Sequence, residues 1–293
     1  MRAFLARWRW WLIGAGVMAL LLGLFGCNTV ATHRGLMAGK RTPADLSALL
    51  SPFYRVTMPE REGPFPVALL FSGCDGPKDN LDRLAAALVT QGWGAVIVDS
   101  HAPRGMDRAE VWRFVCSGVT LPGAERAADV AVAIADARAL PGVDPDRIAL
   151  VGASHGGWAV LDLLALAGTG ERPWGLTEWP GGSPEATLAG VTQAVLYYPY
   201  CGFPSVVAGK GWQADIPMLM LLVEGDSIAD ETDCAALAAR MAAAGRDVGT
   251  VSIPGVTHGF DQAEKALFST LTFDAAAAEE AVRMTLDFIG AVE

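Results

Sequence analysis

The chain has 293 residues, 52% of them hydrophobic and 18% charged, with 9 Trp and 11 Phe. That length suits one catalytic-sized domain better than several small ones, and the composition excludes a disordered or low-complexity chain. Lys plus Arg number 22 against 32 Asp plus Glu, a net charge of −10, and so acidic a surface repels a phosphate backbone, which argues against nucleic acid as a partner. Five Cys, none in a C-x-x-C pair and none grouped with the four His at ligand spacing, provide neither a zinc motif nor a dense disulfide framework.

Residues 1–30 form a signal or anchor segment. Arg2, Arg7 and Arg9 precede an uncharged run from Trp10 to Cys27, the charged start and apolar centre of an export signal or anchor. Eighteen residues at 1.5 Å rise span about 27 Å, enough for a hydrocarbon core, with the positive flank held in the cytoplasm. Leu24-Phe25-Gly26-Cys27 is also similar to a bacterial lipoprotein box, with Cys27 as the lipidated residue. A retained helix, lipidation at Cys27 and ordinary cleavage all remain open, and each puts the rest of the chain outside the cytoplasm. Cys116, Cys201 and Cys234 then lie in an oxidising compartment, where at least one pair is expected to be bridged.

Residues 31–52 read as a linker with one short helix starting at Thr42-Pro43-Ala44-Asp45. From 53 to 293 short apolar runs bounded by Gly and Pro recur at 67–71, 95–99, 148–152, 194–198, 218–223 and 248–253, the pattern of buried strands. Helical spacing fills 80–90, 124–140, 155–165, 234–244 and 275–289. Alternating strand and helix implies an α/β domain with a mostly parallel sheet covered by helices on both faces, preceded by the hydrophobic N-terminal helix. The Pro-, Trp- and Gly-rich stretch 168–184 interrupts the alternation as a surface insertion, either a pocket roof or a plain loop.

Ile148-Ala149-Leu150-Val151 runs into Gly152-Ala153-Ser154-His155-Gly156, a G-x-S-x-G between an expected strand and an expected helix. That context turns a weak motif into a candidate nucleophile, with the Ser154 hydroxyl lifted above the sheet beside helix N-terminal amides. A hydroxyl needs a base to take its proton and a carboxylate to orient that base. Of the four His, His33 lies in the linker, His101 follows an earlier strand and His155 sits inside the elbow; His258 follows the last expected strand and is the candidate base. Asp226 and Asp230 both follow 218–223. Asp226, directly after Gly225, is the candidate acid, while Asp230 suits the N-terminal region of the next helix. For the oxyanion, the amides of His155 and of Cys74, in the Gly-rich turn Ser72-Gly73-Cys74-Asp75-Gly76, are the candidate donors; the Cys74 thiol is expected merely to fill space. Trp112, Trp158, Trp179 and Trp212 are either pocket walls or core. Arg104, after a strand end, is either a ligand for a substrate carboxylate or a brace paired with a nearby acid.

From about residue 54 to the C-terminus the chain resembles the dienelactone hydrolase family of α/β-hydrolases. The resemblance rests on Pro64-Phe65-Pro66-Val67 into Phe71-Ser72-Gly73-Cys74, Asp99-Ser100-His101-Ala102-Pro103-Arg104-Gly105, Glu125-Arg126-Ala127-Ala128-Asp129, Asp144-Pro145-Asp146-Arg147-Ile148, the elbow, Tyr198-Pro199-Tyr200-Cys201 and Pro254-Gly255 to Phe260. It implies an α/β-hydrolase fold and the triad order Ser154, Asp226, His258, and its spacing sets the acid eight residues before Cys234. Founding members carry Cys where this chain has Ser154, and Ser72 stands where the oxyanion loop usually opens with His. The expected function is serine-dependent hydrolysis of a small-molecule carboxylic ester or lactone through an acyl-enzyme, with no metal and no organic cofactor. The alternatives are a serine peptidase of the same fold and a non-catalytic, membrane-anchored binding or scaffold protein.

Overall fold

The computed structural model describes residues 2–32, 34–265 and 269–290, which leaves His33 outside the described residues. In chain order the elements are α1 (Arg2–Thr32), α2 (Pro43–Leu50), β1 (Arg55–Thr57), β2 (Phe65–Phe71), α3 (Asp79–Thr90), β3 (Gly94–Val98), α4 (Arg108–Glu110), α5 (Gly123–Arg138), β4 (Val143–Ala153), α6 (His155–Thr169), α7 (Pro184–Leu188), β5 (Val191–Tyr197), α8 (Val206–Lys210), β6 (Met218–Val223), α9 (Glu231–Ala243), β7 (Val248–Ile253) and α10 (Ala275–Ile289). One seven-stranded sheet runs β1-β3-β2-β4-β5-β6-β7, with β1 antiparallel to β3 and every other pair parallel.

Strand side chains alternate between two buried layers, and this is why the runs read as continuously apolar. In β2, Val67, Leu69 and Phe71 face one layer while Ala68 and Leu70 face the other. The first layer packs under α2, α5, α6 and α9, and the second under α3 and α10. Successive parallel strands each need a crossover, and a helix between them supplies it while burying its own apolar face.

α2 starts where its cap predicts, since Thr42 accepts a hydrogen bond from the Asp45 amide and Pro43 sits at the first helical position. One strand is additional to those expected, and one expectation changes. β1 is an exposed three-residue edge strand, too short for any alternation to be read. The insertion 168–184 is not a roof: Leu176 and Trp179 enter the core beside α5, and the Trp174 amide donates to the Ala124 carbonyl. Helix α1 includes a 25-residue stretch, Trp8–Thr32, that is long and apolar enough to cross a membrane; its apolar window has mean hydropathy 2.0 and none of that window is buried. It runs straight through Cys27, which is exposed.

Candidate active site

The site forms at the carboxyl ends of β2, β4 and β6 and in the loop after β7. Between β4 and α6 the chain turns on Ser154, whose φ of 50° and ψ of −113° put a non-glycine residue in a strained region. The flanking glycines make that turn possible. A side-chain carbon at Gly152 would lie 2.6 Å from the Gly157 nitrogen, and one at Gly156 would lie 2.3 Å from the Phe71 carbonyl oxygen. Helix α6 is thereby pulled onto the end of β2, with the Ser154 hydroxyl at its first turn.

His258 lies in the loop after β7. Its Nδ1–H donates to Asp226 Oδ2 at 2.6 Å, which leaves Nε2 to accept the Ser154 hydroxyl at 2.8 Å. A carboxylate can only accept, so this contact fixes the tautomer that a general base needs. Asp226 is itself held: its Oδ1 accepts from the Ile228 and Ala229 amides, and its side chain is 1% exposed. Asp230 stands apart as the N-cap of α9, accepting from the Thr232 amide. That helix begins three residues before Cys234, where the sequence reading had opened it.

On the far side of His258, the Tyr198 ring packs edge-on at 4.6 Å between centroids. Its hydroxyl donates to Asp261, which also accepts from Asn80 Nδ2, and burial raises the Asp261 carboxyl above the usual range. This buried chain of three polar groups fixes the imidazole against one wall.

The loop after β2 runs beside the nucleophile, close enough that a side-chain carbon at Gly73 would be 3.8 Å from Ser154 Cβ. Cys74, Ser154 and His155 line one cavity. The His155 amide is at the first position of α6, where no intrahelical carbonyl can take it. The Cys74 thiol does not merely fill space: it is bonded to Cys116, at the end of the π-helical turn Val111–Val115. A second disulfide joins Cys201 to Cys234, so the expected bridge among the later cysteines is present.

One residue with no role assigned from sequence ties this loop to the elbow. Arg126 on α5 is wholly buried, and its guanidinium donates to the Ser72 carbonyl, the Ser72 and Ser100 hydroxyls and the His155 Nδ1. Since Arg126 can only donate, His155 Nδ1 must accept, and the ring stays neutral; burial and the neighbouring cation both push its pKa well below the ordinary value. Burial also lowers Arg126, to about 10. The available signal was a single Arg in the stripe of small apolar residues that α5 turns to the core.

Arg104 is not brought to the nucleophile. Its two terminal nitrogens pair with the two oxygens of buried Asp129, and one also reaches the Ser100 carbonyl, which is the bracing arrangement. Trp179 and Trp212 belong to the core, whereas Trp112 and Trp158 line a cavity of about 540 Å³ above Ser154 and His258. Tyr200, Phe203, Ile228 and Leu271 add to its apolar wall, and among the described residues no Lys or Arg lines it.

Residues 183–293, which carry both Asp226 and His258, match the family model described as the dienelactone hydrolase family. The fold is similar to that of Thermogutta terrifontis esterase 2 phosphorylated by paraoxon, with 18% identity, TM-score 0.61, and coverage of 80% of this chain and 87% of that one. It is likewise similar to a dienelactone hydrolase-like promiscuous phosphotriesterase from metagenomic libraries, with 17% identity, TM-score 0.62, and coverage of 80% and 90%. A search of curated proteins gave no sequence match. The fold is thus that of the α/β-hydrolases, and residues 183–293 are similar to the dienelactone hydrolase family.

Proposed function

We propose that the protein is a serine-dependent hydrolase of carboxylic esters, lactones included, acting through an acyl-enzyme. The observation that carries this reading is the hydrogen-bonded chain from Asp226 through His258 to Ser154, at 2.6 and 2.8 Å, set on a strained strand-to-helix turn beneath an apolar cavity. Ser154 Oγ attacks the carbonyl carbon while His258 Nε2 takes its proton, and the charge that develops on the carbonyl oxygen is received by the Cys74 and His155 amides. Collapse breaks the bond to the alcohol, which leaves with the proton from His258. Water then repeats the sequence on the acyl-serine and frees the acid. Asp226 holds the imidazole in the working tautomer and stabilises it once protonated.

The cavity wall argues for neutral, apolar groups on the substrate. With Arg104 committed to Asp129, a substrate carboxylate would enter without a cationic partner, at the cost of an unpaired buried charge. The test is a panel of esters varying in acyl length and charge. Wild-type turnover of neutral esters, lost in Ser154→Ala, supports the reading; near-native kcat in that variant contradicts it.

The same proposal includes the N-terminus. Helix α1 is long and apolar enough to span a hydrocarbon core and carries arginines at its start, which favours a retained anchor with the catalytic domain exported, on the periplasmic or extracellular face. Cys27→Ser separates this from lipidation: unchanged membrane association fits the helix, and loss of association fits a lipid on Cys27.

A further inference from the structure

Several of the large apolar side chains left exposed on the catalytic domain lie at the cavity, while Phe53, Val56 and Phe273 are exposed away from its lining. Trp112 is 51% exposed, Ile228 61% and Phe203 89%, and all three line the cavity. Phe114, 46% exposed, lies on the same π-helical turn as Trp112, with exposed Arg113 between them. Among the described residues Arg113 makes no ion pair. Apolar exposure gathered at a cavity mouth is costly in water and marks a contact surface. An aromatic, a cation and an aromatic in succession suit the boundary between headgroups and acyl chains, where the rings bury and the guanidinium meets phosphate.

The path of the chain says what covers this rim. The linker after α1 is fastened near the amino end of α5: the Gly39 amide meets the Glu125 carboxylate, and Arg41 pairs with Gly175 next to Trp174, whose amide donates to Ala124. The amino end of α5 also abuts the cavity, because a side-chain carbon at Gly123 would fall 2.3 Å from the indole of Trp158. Linker attachment and cavity mouth thus share the end of the sheet where α5 and α6 begin. From Thr32, the last residue of α1, to Gly39 is seven residues, at most about 25 Å of chain. With α1 in a bilayer, the bilayer's outer surface lies within that reach of the linker attachment, at the end of the domain that carries the mouth.

We infer that the rim of Trp112, Phe114, Phe203 and Ile228 seats on a lipid surface, and that the ester reaching Ser154 carries an apolar acyl chain taken from that surface. The first half of this inference rests on the membrane-anchor reading of α1 and the second on the hydrolase reading. The Cys74–Cys116 disulfide joins the lipid-facing turn to the loop bearing the oxyanion donor, so seating and chemistry share one rigid connection.

The experiment uses the full chain reconstituted in dioleoylphosphatidylcholine vesicles, with and without brominated acyl chains. Subtracting the emission of Trp112→Phe from that of wild type isolates the Trp112 component from the tryptophans of α1. Seating predicts that brominated lipid quenches this component; an unquenched component, including one shielded by self-association of the protein, overturns the inference. In parallel, turnover of a bilayer-dissolved palmitoyl ester is divided by that of the water-soluble acetyl ester of the same alcohol. Phe114→Asp puts a charge on the rim without touching the cavity, and lowers that ratio by about tenfold; an unchanged ratio overturns the inference about substrate delivery. Quenching without turnover of either ester would refute the hydrolase reading and leave the docking surface standing.

Discussion

Replacing Cys74 and Cys116 together by Ser separates two consequences of one bond. The bridge joins residues 42 apart in sequence, and closing a loop of that length in the unfolded chain corresponds to about 4 kcal/mol of stability in the chain-entropy account. For a domain of this size that is a fall in Tm of roughly 10 °C. The catalytic consequence is separate, because Cys74 supplies a proposed oxyanion amide and its side chain is what ties that loop to the wall carrying Trp112. Complete loss of one such donor costs about 10² to 10³ in kcat, so a loosened loop is expected to lose part of that range, with KM changing less. Cys201→Ser/Cys234→Ser is the control: its loop of 33 residues gives a similar estimate, about 4 kcal/mol, while its sulfurs lie outside the cavity wall. Thermal unfolding and ester kinetics on the oxidised full-length protein decide the matter. If the first double variant keeps wild-type Tm and kcat, the bridge neither stabilises the fold nor positions the loop. If both double variants lose kcat equally, the positioning argument fails and only the stability argument remains.

Asp226→Asn keeps the shape of the orienting acid but favours the wrong imidazole tautomer, so kcat is expected to fall by about 10⁴, whereas Asp230→Asn, a change at a helix cap, should leave kcat near wild type; the reverse ranking would show the acid to be misassigned. Arg126→Met removes the donors to Ser72 and His155 and is expected to lower kcat with little effect on KM, at a stability cost of about 1–3 kcal/mol for each buried acceptor left unpaired; Arg126→Lys should recover part of the kcat, and no recovery would assign the residue to packing alone. His101 is buried with neither ring nitrogen partnered, its Nδ1 being 3.8 Å from Asp99 and beyond hydrogen-bond reach, and burial pushes its pKa down to about 2. Below pH 6.5 the unfolded chain therefore takes a proton that the folded state refuses, and stability from this group is lost as the pH falls. His101→Gln should gain about 2 kcal/mol on wild type between pH 7 and pH 5, measured by denaturant unfolding; a pH-independent difference would contradict the neutral buried imidazole.

Much of the architecture was legible because both faces of the sheet are covered. Strand β6 and helix α10 begin and end where their apolar runs do, since hydrophobic burial and chain punctuation agree there; β7 has the expected bounds but is a half-exposed edge strand, not the buried one expected. The antiparallel β1 was not legible: three exposed residues have no apolar period, and only the β3 edge makes them a strand. At the site, the meeting of Ser154, Asp226 and His258 was readable because each follows a strand end, and strand ends converge in a parallel sheet. Arg126, Asn80, Tyr198 and Asp261 were not, because their roles depend on pairings between elements 54 to 181 residues apart, as with Arg126 to Ser72 and Asn80 to Asp261. The Cys74–Cys116 pairing was hidden for the same reason, as no local pattern announces which loop the π-helical turn will meet.

The central claim is that Ser154 is a nucleophile activated by His258. The most direct measurement is the intact mass and peptide map of the folded full-length protein after reaction with a fluorophosphonate. The account predicts one covalent adduct, located on Ser154, absent from Ser154→Ala and formed much more slowly in His258→Ala. A folded protein that forms no adduct, or forms it on another residue, would contradict it.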